Sequence, residues 1–357
     1  MSVITVRSNI KDYDVVFEND PGFLNFSSKF QEACYIIDTN VWDLYKDSVL
    51  SVLPEQDVII LPFDETRKNL ATVQEIYDRL MVRSSKRNLT LVSIGGGITQ
   101  DVTGFAASTL YRGLHWIFVP TTLLAQSDSC IGGKTSLNYQ TYKNLVGTFY
   151  PPSRVHLYTP FLSTLKDVDY ASGLGEVIKL YLMGGRERSE ALPGLLGPLL
   201  ARQPEVLRQS VRESLLVKIS FIEGDEFDTG RRNLLNFGHT LGHALESVSN
   251  YRVPHGQAIL VGMAFANIVS SRRGLLASTR NTAIAGILEQ ALVCRPMPAE
   301  MDAALLIEAM RKDKKRVGTN IPLVMLTDDG SLVRINDLTE EEAHIALRAL
   351  GIWLFGN

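Results

Sequence analysis

Short runs of β-branched and aromatic residues alternate with amphipathic stretches along residues 1–166. Helical patterns lie between several of the runs, as at Leu70–Val82 and Asp101–Leu110. Alternation of this kind predicts an α/β domain whose parallel sheet is covered by helices on both faces. The predicted strands are Tyr13–Phe17, Cys34–Ile37, Val58–Leu61, Leu89–Ile94, Trp116–Val119 and Val155–Tyr158.

From Asp169 onward the pattern becomes almost entirely helical. A late hairpin is also expected, with Ile321–Leu326 and Ser331–Ile335 joined by Thr327–Gly330. We therefore expect two domains: residues 1–166 form the α/β domain, and residues 167–357 form an all-helical domain. The predicted helices are Gly173–Met183, Pro204–Glu223, His239–Val248, Gln257–Arg272, Thr282–Leu292 and Met301–Arg311.

Composition narrows the class of protein. A chain of 357 residues exceeds the usual size of one core, which agrees with two domains. The net charge of −3 argues against a nucleic-acid partner. No apolar run approaches the roughly 20 residues of a membrane span, so we expect no membrane partner. Three widely spaced cysteines are typical of free thiols in a reducing cytoplasm.

A glycine run after the strand Leu89–Ile94 indicates a nucleotide site. Gly96 and Gly97 precede a predicted helix start, where backbone N–H groups can face a pyrophosphate. The run lacks the Gly-x-Gly-x-x-Gly spacing, so a tight strand-to-helix turn is the alternative. Asp38 and Asn40 end another strand and are candidates to bind a ribose; a turn or helix cap is the alternative for them.

The segment Pro120–Thr135 is rich in small and hydroxylated residues, and two glycines precede Lys134. Its spacing is not that of a P-loop. A single lysine usually lies on the solvated surface, but several cations adjoin special segments and together favour a site for a doubly anionic small molecule. These cations are Lys134, Lys143, Lys179, Lys218, Arg232 and Lys314.

The C-terminal half contains candidate metal ligands. Glu176, His239 and His255 offer one carboxylate and two imidazoles, the set that a catalytic zinc takes when a position stays open for substrate. By spacing alone, His239 and His243 would both be ligands, because i and i+4 share a helix face; core or capping histidines are the alternative. A metal and a dinucleotide in one chain point to redox chemistry on an alcohol.

Several motifs in a fixed order resemble 3-dehydroquinate synthase and its wider family, the sugar-phosphate cyclases. The resemblance extends over residues 35–326. The motifs are Gly95–Phe105, Tyr111–Gly113, Pro120–Ser129, Gly132–Thr135, Lys143–Gly147, Gly175–Lys179, Arg232–Ala244, His255–Ala258 and Asp313–Lys315. A Rossmann-like NAD-binding domain followed by a metal-binding domain is the fold that this resemblance implies.

The resemblance also implies residue roles. Zinc or cobalt is held by Glu176, His239 and His255, and His243 handles protons instead of binding the ion, which overrules the interpretation from spacing. Arg112 reaches the neighbouring subunit's site, so a homodimer is implied. The expected NAD contacts are Glu65, Lys68, Asp101, Thr121, Thr122, Lys134, Lys143 and Thr164. The expected substrate contacts are Asp128, Lys134, Asn144, Lys179, Lys218, Arg232, Asn236 and Lys314.

The implied reaction converts 3-deoxy-D-arabino-heptulosonate 7-phosphate into 3-dehydroquinate and phosphate in the shikimate pathway, with NAD recycled in each turnover. Some positions depart from the family pattern: Asp228 replaces a glutamate, Gln257 replaces a glutamate, and Tyr139–Tyr142 replaces a His-Pro-x-Gly segment. The alternatives are a cyclase of secondary metabolism, such as an aminodehydroquinate synthase or a cyclase of a neutral sugar phosphate, and a metal-dependent alcohol dehydrogenase.

Overall fold

The computed structural model describes residues 2–26, 32–83, 87–140, 142–312 and 321–356. The chain divides into two compact units, Met1–Leu165 and Lys166–Asn357. Within the described residues, no helix is both long and apolar enough to cross a lipid bilayer.

A seven-stranded sheet forms the centre of the first unit, and among the described residues its strand order is β1-β2-β9-β6-β5-β3-β4. All neighbouring strands are parallel except β1 and β2. An antiparallel hairpin of β7 and β8 is separate from this sheet. The strands are β1 Ser2–Val6, β2 Tyr13–Phe17, β3 Ala33–Asp38, β4 Val58–Leu61, β5 Thr90–Gly95, β6 His115–Pro120, β7 Lys134–Tyr139, β8 Tyr142–Phe149 and β9 Arg154–Leu157.

Helices α1 (Thr39–Tyr45), α2 (Leu70–Val82) and α3 (Gly97–Thr109) connect or follow the central strands. The first two have side-chain caps: Asp38 accepts the Asn40 N–H at 2.8 Å, and Asn69 accepts the Thr72 N–H at 3.0 Å. The central strands are buried on both faces, as a sheet between helices requires.

The second unit contains helices and one hairpin. Its core helices α4 and α8 are buried over most of their length because their sequences are apolar on nearly every face. The elements are α4 Asp167–Met183, α5 Arg186–Leu200, α6 Pro204–Ile222, α7 His239–Val248, α8 His255–Arg272, α9 Ser278–Ala291, α10 Ala303–Lys312, β10 Ile321–Leu326, β11 Leu332–Leu338 and α11 Glu340–Phe355.

The predicted order of a Rossmann-like parallel-sheet part and a helical part is confirmed, and each predicted strand of the sheet is found within one residue. One correction concerns the second domain: it is not all-helical, because β10 and β11 pair as the expected late hairpin. Sequence reasoning missed β1, α1, the β7–β8 hairpin, α5 and α11. In α5 the prolines at 193 and 198 obscured the helical pattern.

Candidate active site

The two predicted dinucleotide segments follow neighbouring strands of the first unit. Strands β3 and β5 pair directly, with Ile37 opposite Ile94, so Asp38 and Gly95 lie at the same carboxyl edge. The chain continues outward to β4 on one side and to β6 on the other, so this edge is a topological switch point, where open α/β sheets bind ligands. Asp38 caps α1, as the alternative interpretation expected, and burial raises its pKa.

The glycine run lies beside the predicted threonines. The Thr121 N–H donates to the Gly95 carbonyl oxygen at 2.9 Å, which joins the ends of β5 and β6. Gly96 is the N-cap residue of α3 and has no side-chain cap. A β-carbon on Gly96 would stand 3.1 Å from the Thr122 methyl group, so a side chain there would require Thr122 to move slightly. Free N–H groups at the α3 N-terminus suit an anionic ligand.

An ion pair between Lys68 and Asp101 lies at the centre of a polar network in the same unit. The Lys68 ammonium is 2.6 Å from the Asp101 carboxylate and donates to the Asn144 side-chain oxygen at 2.6 Å. The Ser136 N–H and hydroxyl both donate to Asp101, at 3.0 and 2.9 Å. Burial raises the Asp101 pKa, and the ammonium of Lys68 opposes that rise.

The β7–β8 hairpin extends this network. Lys143 lies 3.2 Å from the Glu65 carboxylate, and the Asn138 amide donates to that carboxylate at 2.8 Å. The Asn144 N–H in turn donates to the Asn138 side-chain oxygen at 2.9 Å. Ser136 and Asn138 were missed from sequence. Their signal was the spacing of two between successive members of the series Lys134, Ser136 and Asn138, which places all three on one face of a strand.

The other predicted residues of the first unit are placed as follows. Lys134 is exposed, with its ammonium 5.9 Å from the centre of the Phe149 ring. Asp128 lies in the π-helical turn Ala125–Ser129. The Thr164 hydroxyl is 2.7 Å from that of Tyr45. Arg112 is exposed in the turn after α3, where its φ of 65° is left-handed.

Three helices bring the candidate metal ligands together in the second unit. α4 and α8 touch backbone to backbone: a β-carbon on Gly175 would stand 2.2 Å from the Gly256 carbonyl oxygen. α7 and α8 are equally close, because a β-carbon on Gly262 would stand 1.9 Å from the Gly238 carbonyl oxygen. These approaches require glycine. They hold the middle of α4, which carries Glu176, and the N-terminal ends of α7 and α8 against one another.

The side chains of Glu176, His239 and His255 each offer a ligand atom, and these atoms lie within 4.8 Å of one another. The His255 Nε2 atom is 3.3 Å from a Glu176 oxygen, and the rings of His239 and His255 have centroids 5.4 Å apart. Lys179, also buried, forms an ion pair with the second Glu176 oxygen. His243 belongs to a second, overlapping group with Glu246 and His255.

The donor chemistry of this cluster fits a divalent cation. Glu176 is fully buried, and its oxygens form ion pairs but, among the described residues, accept no hydrogen bond of standard geometry. The His239 Nδ1 atom lies 3.1 Å from the Phe237 carbonyl oxygen, and donation there leaves Nε2 with a lone pair for a metal. A buried carboxylate and an imidazole with an available lone pair are typical of a metal centre.

Charge and burial set the protonation of the cluster. Burial alone would raise the pKa of Glu176, but Lys179 and His255 outweigh it and hold that pKa below its usual range. Burial and the neighbouring Lys179 ammonium lower the pKa of His239 well below its usual value. Burial would also lower the pKa of His255, but the adjacent carboxylates of Glu176 and Glu246 raise it to about 10. Glu176 and His239 are therefore in the forms that bind metals.

A pocket lies beside the histidines of this cluster. Its apolar lining comes from α10 and β10, and Asn236 contributes an amide that also donates to the Asn233 carbonyl oxygen at 2.9 Å. The exposed Arg334 of β11 also lines it and was not predicted from sequence. The residues that line the pocket are Asn233, Asn236, His239, Thr240, His243, Met310, Pro322, Leu323, Val324 and Arg334.

The loop before α7 positions the predicted Arg232. Its guanidinium is buried and donates to the Glu226 carbonyl oxygen, and its N–H donates to the Asp225 carboxylate at 2.7 Å. Asp225, which sequence reasoning missed, also accepts the Thr229 and Gly230 N–H groups, each at 2.8 Å. Burial opposes these bonds, which nevertheless lower the Asp225 pKa to about 2.

Of the two remaining predicted substrate cations, the structure describes one. Lys218 is buried within α6. Lys314 lies outside the described residues, as does the rest of the Asp313–Lys315 motif.

The departure at Gln257 has a structural explanation. Its buried amide nitrogen donates to the carbonyl oxygens of Ala171 at 2.9 Å and Ala291 at 3.2 Å. Its side-chain oxygen accepts the N–H groups of Val293 at 2.7 Å and Cys294 at 3.0 Å. A carboxylate cannot make the two donations. Gln257 therefore joins α4, α8 and the end of α9. The structure does not explain Asp228 or Tyr139.

Two family models match the chain in sequence order. Residues 58–172 match the model described as 3-dehydroquinate synthase N-terminal, and residues 173–316 match the one described as 3-dehydroquinate synthase C-terminal. A 3-dehydroquinate synthase from Methylococcus capsulatus is 39% identical over 290 residues, which cover 80% of this chain and 81% of that protein.

Solved structures of similar fold contain NAD and a metal. 2-Deoxy-scyllo-inosose synthase complexed with carbaglucose-6-phosphate, NAD+ and Co2+ is 25% identical with a TM-score of 0.86, covering 98% of this chain and 100% of the other. 2-epi-5-epi-Valiolone synthase from Streptomyces hygroscopicus subsp. jinggangensis 5008, with NAD+ and Zn2+ bound, is also 25% identical, with a TM-score of 0.84, and covers 98% and 99% of the two chains.

Proposed function

Because the chain belongs to the 3-dehydroquinate synthase family, we propose that it converts 3-deoxy-D-arabino-heptulosonate 7-phosphate into 3-dehydroquinate and phosphate. The enzyme is a phosphate-eliminating carbon–oxygen lyase that uses NAD and a divalent metal, zinc or cobalt. The observation that carries this function is the convergence of Glu176, His239 and His255 beside a pocket lined by His243 and Asn236.

Each unit has its own proposed task. Residues 1–166 bind NAD at the carboxyl edge of β3, β5 and β6, with the network of Glu65, Lys68, Asp101 and Lys143 beside it. Residues 167–357 hold the metal. Asp128, Lys134 and Asn144 of the first unit, and Lys179, Lys218, Arg232, Asn236 and Lys314 of the second, remain the proposed substrate contacts. Three free cysteines favour a reducing, cytoplasmic location.

The side chains of the second unit have distinct roles in this reaction. When bound, the metal would acidify a substrate hydroxyl, and NAD would accept and return a hydride. The buried Lys179 ammonium keeps Glu176 ionised, so the carboxylate is ready as a ligand. His243 lines the pocket, where its imidazole can take a proton from the substrate and return one. Arg232 supplies a fork of N–H donors for a carboxylate.

A homodimer is the proposed assembly, with Arg112 of each chain serving the neighbouring subunit's site. In its support, Arg112 is an exposed cation at a left-handed turn after α3. Sedimentation would measure the assembly, and Arg112→Ala should lower turnover without changing the metal content.

A phosphate-release assay tests the function. With NAD and zinc present, the purified protein should release phosphate from the seven-carbon keto-acid phosphate, and no stoichiometric NADH should accumulate. One NADH for each product molecule would instead identify an alcohol dehydrogenase.

One alternative has support from a specific observation, the similarity to a cyclase complexed with carbaglucose-6-phosphate, which has no carboxylate. Phosphate release from a neutral hexose or heptulose phosphate, but not from the keto acid, would establish that alternative and contradict the dehydroquinate assignment.

A further inference from the structure

We propose that Glu246 is a positioning residue that orients His255 toward the metal. The proposal rests on the proposed metal site, and it assigns a role to a carboxylate that the family motifs above do not include. Glu246 follows His239 by two helical turns and His243 by one, so all three lie on one face of α7. That face carries His239, one of the three candidate metal ligands.

The contact that carries the proposal joins Glu246 to His255. A Glu246 oxygen lies 3.0 Å from the Nδ1 atom of His255. The other ring nitrogen, Nε2, lies 3.3 Å from a Glu176 oxygen. An Nδ1–H that donates to a carboxylate fixes the tautomer and the ring orientation, and it makes Nε2 a better electron donor. Nε2 is therefore the atom presented to the metal.

The loop between α7 and α8 brings the side chains of Glu246 and His255 together. Asn250 and Tyr251 have φ values of 48° and 61°, so the backbone reverses through two consecutive left-handed residues. The Tyr251 N–H donates to the Glu246 carbonyl oxygen at 2.8 Å. Arg252, which follows, is anchored by the Glu300 carboxylate at 2.8 Å. The reversal starts α8 at His255, directly against Glu246.

Packing restrains the His255 ring only in part, because its side chain is 32% exposed. His239 has a different partner for its Nδ1 atom, the Phe237 carbonyl oxygen of its own chain segment. The side chain of Glu246 is 14% exposed, and its charge is screened less by water than a surface carboxylate would be.

Cobalt binding alone, without substrate or turnover, tests the proposal. Metal-free wild-type protein and the variants Glu246→Ala and Glu246→Gln would be titrated with Co2+ and followed by visible absorption. Glu246→Ala should weaken Co2+ binding by about 10- to 100-fold. Glu246→Gln should lose less, because an amide oxygen still accepts the Nδ1–H. Glu213→Gln is the matched control: it removes a partly buried carboxylate that pairs with Arg188, and it should leave Co2+ binding unchanged.

Three results would overturn the proposal. Equal Co2+ affinity in wild type and Glu246→Ala would show that His255 needs no such support. A loss of affinity that merely follows a fall in the unfolding free energy of the metal-free protein would indicate a structural role. Two ions bound per wild-type chain and one per Glu246→Ala chain would make Glu246 a ligand of a second ion with His243 and His255. A wild-type protein that binds no Co2+ would instead contradict the proposed function itself.

Discussion

Gly256 lies so close to Ser172 that a β-carbon on Gly256 would stand 1.7 Å from the Ser172 carbonyl oxygen. The Gly256 N–H also donates to the Ser172 hydroxyl at 3.0 Å. This contact sets the spacing of α4 and α8, and therefore the distance between Glu176 and His255.

Substitution of Gly256 by alanine should force the two helices apart. We expect Gly256→Ala to lower the free energy of unfolding by about 1–3 kcal/mol and to weaken metal binding, because overpacking shifts backbone as well as side chains. Urea unfolding and Co2+ titration would measure both. Gly286→Ala is the control, since nothing lies within 4 Å of its added β-carbon and alanine favours the α9 helix. Wild-type stability in Gly256→Ala would contradict the prediction.

Restoring the family's glutamate at position 257 should destabilise this protein. Gln257→Glu loses two donations to buried carbonyl oxygens and introduces a carboxyl where water is excluded. Each unsatisfied buried group costs about 1–3 kcal/mol, so we expect a loss of at least about 2 kcal/mol in urea unfolding. The exposed Gln290→Glu on α9 is the control and should change little. A free energy of unfolding that is the same in Gln257→Glu and Gln290→Glu would show that the four hydrogen bonds of Gln257 contribute little to stability.

Asp101 should control NAD binding through the network that it organises. Asp101→Asn removes the charge that faces the buried Lys68 ammonium and weakens the contact with Ser136. We expect the Kd for NAD to rise about tenfold or more in calorimetric titrations, because charge-assisted hydrogen bonds contribute about 1.5–3 kcal/mol. The control Asp78→Asn, at an exposed position of α2, should leave the Kd for NAD unchanged. An unaltered Kd for NAD in Asp101→Asn would show that this network takes no part in binding the dinucleotide.

Arg232 should distinguish a keto-acid substrate from a neutral sugar phosphate. Arg232→Ala should lower kcat/KM for the keto-acid phosphate by about 10- to 150-fold, because it removes a guanidinium able to pair with a carboxylate. Arg232→Lys should recover only part, since an ammonium cannot form the fork. The neighbouring Arg231→Ala is the control; that guanidinium stacks 5.1 Å from the Phe221 ring centre. Metal content should stay constant in all three. Undiminished turnover in Arg232→Ala would argue against a carboxylate substrate.

Local signals explain why most of the fold was predictable. Strands such as Val58–Leu61 and amphipathic helices such as Leu70–Val82 were placed correctly because side-chain periodicity is a property of short segments. The β7–β8 hairpin was missed, since β8 alternates little and is only partly buried. Its strands are stabilised by pairing, which a short window of sequence does not reveal.

By itself, the sequence determined the order of elements, the family, and the residue types available for a metal and a nucleotide, because these depend on local pattern and motif. Tertiary structure alone decided which side chains meet. Glu246 reaches His255, Ser136 reaches Asp101, and the buried Gln257 joins α8 to α4. Each of these contacts joins separate elements. Their geometry arises from close backbone approaches, as at Gly256, and those depend on the packing of whole helices and strands.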